Sequence, residues 1–120
     1  MQKRMNICSA VLIFSAFALF PVAHAATRAN AKKTEAVEVA KGKQIYKQKC
    51  EICHYSASTK KKIGPGLAGL MKREKFRNGM KANDESLQRV IERGGKNMPG
   101  AGDSLKNDQI RELIAYVKTL

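Results

Sequence analysis

The sequence predicts an all-α domain of three main helices joined by long, ordered loops. Apolar residues recur at spacings of three and four in three separate segments, and no segment alternates with the period of two that a half-buried strand would show. A chain of 120 residues has room for one domain, and no internal repeat divides it.

The amino end reads as a secretory signal. Lys3 and Arg4 precede an apolar run, "ICSAVLIFSAFALF", of about 14 residues; Pro21 then breaks the run, and Ala23-His24-Ala25 fits the small-x-small cleavage rule. Residues 1–25 are therefore expected to be removed after Ala25, leaving the mature chain in the periplasm. The run is shorter than the roughly 20 residues a spanning helix needs, so no stable membrane insertion is expected after cleavage; the competing reading is an uncleaved anchor. Residues 26–35, "ATRANAKKTE", are polar without an apolar period and read as a flexible leader.

The domain proper runs from 36 to 120. In its first helix Val39, Gly42, Tyr46, Cys50 and Cys53 follow one another at spacings of three or four and so share a face. Gly42 inside a helix costs about 1 kcal/mol against alanine, and close approach of another backbone would explain it. Gly64-Pro65-Gly66 marks a turn, after which Leu67 and Leu70 begin a short helix. "NDESLQRVIERGG" is the second helix, with Asn83 or Asp84 as its cap, Leu87, Val90 and Ile91 as its stripe and Gly94 as its stop. After the loop "KNMPGAGDSLK", Ile110, Leu113, Ile114 and Val117 fall at i, i+3, i+4, i+7 and define the last helix.

Cleavage after Ala25 leaves 95 residues, with 21 basic against 10 acidic side chains, and removes Cys8 and His24. A domain this small leans on a staple such as a disulfide, a metal or a cofactor. The two remaining cysteines and the one histidine stand together in Cys50-Glu-Ile-Cys53-His54. Three chemistries share Cys-x-x-Cys: a redox disulfide, half of a zinc site, and covalent attachment of a c-type haem. Zinc wants four ligands, whereas the mature chain offers three crowded into five residues. A redox pair wants a βαβ context, and no strand is visible. A structural disulfide across so short a loop removes little unfolded-state entropy. Placed on a helix, Cys50, Cys53 and His54 project from one face, a geometry that suits two thioether bonds along a porphyrin edge with the imidazole toward iron. A second axial ligand must then come from Met71, Met80 or Met98. Met98 stands before Pro99, which biases it toward an extended conformation; for Met71 and Met80 core packing is the expectation.

From about Val39 to Leu120 the chain resembles the class I c-type cytochromes, small monohaem electron carriers. The resemblance rests on four features in order: Gly42 and Tyr46 leading into Cys50-Glu-Ile-Cys53-His54; Gly64-Pro65-Gly66-Leu67; Asn97-Met98-Pro99; and Leu113-Ile114-Ala115-Tyr116. It implies the cytochrome c fold around one haem c held through Cys50 and Cys53, with His54 as proximal and Met98 as distal iron ligand. It further implies that the Pro65 carbonyl accepts the proximal imidazole N–H, and that Gly42 meets the Leu113 and Tyr116 face of the last helix. Lys106 departs from the pattern, since many relatives cap that helix with Ser or Thr; the helix is then expected to start at Asn107.

The expected function is one-electron transfer by an exported monomer, not an enzyme, because no nucleophile, acid–base pair or substrate pocket is evident. The competing functions are a dedicated subunit of a dehydrogenase or oxidase complex and a haem enzyme or gas sensor with an open iron position. The basic excess, including Lys60-Lys61-Lys62 and "KREKFRNGMK", predicts redox partners (dehydrogenase, reductase or terminal oxidase) with an acidic docking face. Nucleic acid is not expected, since export and a covalent haem argue against it.

Overall fold

The computed structural model describes residues 23–120, with side chains from Arg28 onward. Three α-helices follow in chain order: α1, Ala23–Lys49; α2, Asp84–Arg93; and α3, Asn107–Val117. A single 3₁₀ turn, Leu70–Lys72, sits between α1 and α2. Among the described residues there is no strand, only two isolated bridges, Lys75 with Lys81 and Gly95 with Met98. The all-α expectation with three main helices holds. The apolar run at 7–20 lies outside the described residues, and the junction after Ala25 falls inside α1.

α1 and α3 form the main helix pair. A Cβ added to Gly42 would overlap the Glu112 main-chain carbonyl and meet Tyr116 Cβ at 2.9 Å, so only glycine lets the two backbones come this close. Around this point Ile45, Tyr46, Ile110, Leu113 and Tyr116 are buried, and the Tyr46 and Tyr116 rings pack with centroids 5.4 Å apart at an interplanar angle of 51°. Lys41 Nζ lies 3.1 Å from Glu112 Oε1 at the edge of the same contact.

The caps follow the chemistry of their residues. Asn83 Oδ1 accepts the Ser86 N–H at 2.8 Å at the start of α2, and Gly94 ends that helix at φ 72°. At α3 Lys106 has no acceptor to offer; instead Gln109 Oε1 reaches back to the Lys106 N–H at 2.9 Å, and the helix begins at Asn107 as expected.

Two expectations are corrected. Residues 26–35, read as a flexible leader, are part of α1. Residues 28–38 are all exposed, so no packing holds this stretch and no apolar period marks it. Its alanines, lysines and glutamate favour helix by intrinsic propensity, which periodicity does not report. The second correction concerns Cys50–His54, which was placed on the first helix: α1 ends at Lys49, and the motif occupies consecutive turns immediately after it.

Candidate functional site

The turns at the end of α1 are held by the backbone. The N–H groups of Cys50 and Glu51 both reach the Tyr46 carbonyl, at 2.8 and 3.0 Å; those of Cys53 and His54 both return to the Cys50 carbonyl, at 3.0 and 2.9 Å. Cys50, Cys53 and His54, brought together by this closed turn, all line a cavity. Both cysteines are partly buried free thiols, and burial, with the neighbouring Cys53 second, pushes the Cys50 thiol above its ordinary value.

His54 is buried, at 8 % exposure, and fixed on three sides. Its Nδ1 is 2.7 Å from the Pro65 carbonyl, which can only accept, so Nδ1 is the donor of this bond and Nε2 is the ring nitrogen left for a ligand. Its main-chain carbonyl accepts the Tyr46 hydroxyl at 2.6 Å. Its ring lies against Gly64, where an added Cβ would come within 2.8 Å of Nδ1 and 2.9 Å of Nε2. Gly64 itself is tied to the motif by its N–H, 2.8 Å from the Cys53 carbonyl.

The cavity has a volume of about 640 Å³, within the roughly 300–1,000 Å³ of a cofactor-sized pocket. Its apolar walls include Leu67, Leu70, Val90, Ile91 and Leu113, together with Phe76 and Leu87. Pro65 and Met98 line it as well. Met71 and Met80 do not; both are partly buried and packed against the core. Nine of the 13 buried apolar residues among those described, Tyr46, Leu67, Leu70, Phe76, Leu87, Ile91, Leu105, Leu113 and Val117, also line the cavity, so most of the core's side chains belong to the site as well.

The charge of the lining is one-sided. Lys49, Lys61, Arg73, Arg77 and Lys96 all border the cavity, and no aspartate or glutamate does. Arg73 is anchored, with Nη2 donating to the Gly66 and Ala68 carbonyls at 2.9 Å each. Sequence reasoning assigned the "KREKFRNGMK" run to partner docking and did not place Arg73 and Arg77 at the cavity. The run carries no local sign of which two of its cations turn inward. A smaller cleft of about 240 Å³ between α2 and α3 is lined by Asp84, Gln88, Arg111, Ile114, Ala115 and Lys118, and holds no cysteine, histidine or methionine.

The residues fit a haem c. Two thiols, a buried imidazole whose Nδ1 is already bonded and a thioether all line the cavity, its walls are largely apolar, and five cations suit a porphyrin carrying two carboxylates. Residues 37–117 match the family described as cytochrome c oxidase, cbb3-type, subunit III. With most of the chain inside that match, this protein belongs to the family and is a haem-based, electron-transferring c-type cytochrome.

Proposed function

We propose that the chain is an exported monohaem cytochrome c that carries one electron at a time, with thioether bonds at Cys50 and Cys53, His54 as proximal ligand and Met98 as distal ligand. The observation that carries this reading is His54: a buried imidazole whose Nδ1–H is spent on the Pro65 carbonyl at 2.7 Å, leaving Nε2 to the cavity that Met98 also lines. The bound group supplies an iron centre that cycles between ferric and ferrous. The chain's own residues do the rest. Pro65 orients the His54 ring and raises its basicity as a ligand. Leu67, Leu70, Val90, Ile91 and Leu113 keep water from the site. Met98 and His54 as the ligand pair would favour a higher potential than harder ligand pairs.

Were His54 and Met98 both to hold the iron, they would leave no position for a substrate, so we read the protein as a carrier and not an enzyme. Its partners on this reading are redox proteins with an acidic face, engaged by lysines at the cavity mouth; Lys61 lines the cavity beside Ile63, which is 65 % exposed. A second reading is favoured by the family match: the family's description is that of an oxidase subunit, and this chain would then serve within a terminal oxidase complex. Stable co-purification with an oxidase separates that role from a free monomeric carrier. Export and cleavage after Ala25 belong to the proposal as well, and the amino-terminal residue of the protein isolated from its host tests them.

The site assignment is tested by two measurements. Haem should survive acid–organic extraction of the denatured protein and add one haem to the mass of the chain. Met98→Ala should remove the weak near-infrared sulfur-to-iron band of the oxidised state, whereas Met71→Ala and Met80→Ala should keep it. Extractable haem refutes the thioether links; loss of the band in either of the latter two variants but not in Met98→Ala refutes the distal assignment.

A further inference from the structure

We propose that the carboxyl end of α2 positions Met98, and that Gly100 is the contact through which it does so; the proposal rests on Met98 being the distal ligand. A helix ends with carbonyls that its own amides do not satisfy. In α2 the loop carrying Met98 satisfies them. The Gly94 N–H reaches the Val90 carbonyl at 2.9 Å, the Ala101 N–H the Ile91 carbonyl at 2.8 Å, and the Gly102 N–H the Glu92 carbonyl at 3.1 Å. Both ends of the Met98 loop are thus fastened to the same helical turn. Within the loop Gly95 and Met98 bond each other, N–H to carbonyl in both directions, at 2.9 and 3.2 Å.

Gly100 packs directly against the last turn of the helix. A Cβ there would be 2.5 Å from the Glu92 carbonyl oxygen and 2.9 Å from the Arg93 carbonyl carbon, against the 3.4 Å at which ordinary contact begins. Both obstacles are backbone atoms, so no rotamer change relieves them and the loop itself must move. Pro99 stands between Gly100 and Met98 with its φ fixed, and it passes the displacement on to the ligand. The other loop glycines grade the effect. A Cβ on Gly102 would meet the Glu92 oxygen at 3.0 Å, and one on Gly95 would meet nothing within 4 Å. Gly95 does not adopt a positive φ, so alanine is unstrained there.

The test uses the oxidised holoprotein and compares Gly95→Ala, Gly102→Ala, Gly100→Ala and Met98→Ala by the near-infrared band, by spectrophotometric titration with imidazole and by thermal melting. A ligand that is displaced part of the time exposes the iron in proportion, and the apparent affinity for a competing ligand rises by the same factor. Gly95→Ala should match the parent, Gly102→Ala should bind imidazole slightly more tightly, and Gly100→Ala should weaken the band and bind imidazole on the order of tenfold more tightly. If Gly100→Ala only melts earlier, with band and imidazole affinity unchanged, its role is structural and the proposal is overturned. Should Gly100→Ala fail to load haem, Gly102→Ala decides: parent-like band and affinity there also overturn it. If the band survives Met98→Ala, the ligand assignment falls first; if Met98→Ala abolishes it and Gly100→Ala does not, only the positioning role falls.

Discussion

Removing one oxygen atom from Tyr46 tests how far the fold depends on holding His54. Tyr46 is buried at 2 % exposure, and its hydroxyl donates to the His54 carbonyl at 2.6 Å. Tyr46→Phe keeps the ring, its packing on Tyr116 and the volume of the core. It leaves the His54 carbonyl without its partner, and an unsatisfied buried acceptor costs about 1–3 kcal/mol. For a domain of this size each kcal/mol moves Tm by about 4–8 °C. The holoprotein should therefore melt roughly 5–20 °C lower, followed by helical circular dichroism. Tyr116→Phe is the matched control. The Tyr116 hydroxyl donates to no protein group among the described residues, and its removal should change stability by less than about 0.5 kcal/mol. A pH series adds an independent readout. Burial raises the Tyr46 phenol above its ordinary value, so the unfolded chain releases that proton first. Stability from this group is complete below pH about 10 and is lost as pH climbs through the folded value. Tyr46→Phe should lack that alkaline component. A Tm for Tyr46→Phe within 2 °C or so of the parent would refute the reasoning, because it would mean that the His54 carbonyl loses nothing without the phenol.

Two further expectations follow from the same geometry. Because nine of the 13 buried apolar residues line the cavity, the four that do not are too few for a stable core, and the Cys50→Ser/Cys53→Ser variant without haem should be largely unfolded by circular dichroism; cooperative melting of a helical apo-protein would contradict this. Electron transfer with the physiological partner should slow as salt rises, since the Debye length falls from about 30 Å at 0.01 M to about 10 Å at 0.1 M, and neutralising Lys60, Lys61 and Lys62 together should flatten that dependence. A rate indifferent to salt, or rising with it, would refute steering by the basic surface.

What the sequence made legible was what depends on neighbours along the chain. Cys50, Cys53 and His54 lie within five residues, so a single turn brings them together whether it is drawn as helix or, as found, as turns closed on the Tyr46 and Cys50 carbonyls. The Asn83 cap and the Gly94 stop are equally local, and both were readable from residue type. Gly42 announced a close contact, because a glycine inside a helix is otherwise unfavourable, although only the structure shows that it is the Glu112 carbonyl that needs the space. The helix through residues 26–35 was missed because an apolar period records burial, and residues 28–35 are all exposed.

Three other features that stayed hidden share one physical cause: each depends on the direction of a polar group, whereas sequence patterning reports mainly whether a residue is wet or dry. Tyr46 read correctly as part of an apolar stripe, yet the stripe says nothing about where its hydroxyl ends. Arg73 read as one cation in a basic run, yet its guanidinium turns back to two carbonyls that the Gly64-Pro65-Gly66 turn and Ala68 present. Lys62 is a further case: in the sequence it is one of three identical lysines, but in the structure its Nζ donates to the Glu51 carbonyl at 2.7 Å and lies 5.3 Å from the centre of the Tyr55 ring. Those contacts tie the loop before the Gly64 turn to the middle of the Cys50–His54 motif. A lysine held this way keeps its charge for a partner while its side chain is already ordered, so docking on it requires less loss of rotamer freedom than docking on a free lysine. Of the three, Lys62 should thus contribute to encounter through its field and to the bound state through its fixed position, and its removal should affect the partner's off-rate as well as the salt dependence of the on-rate.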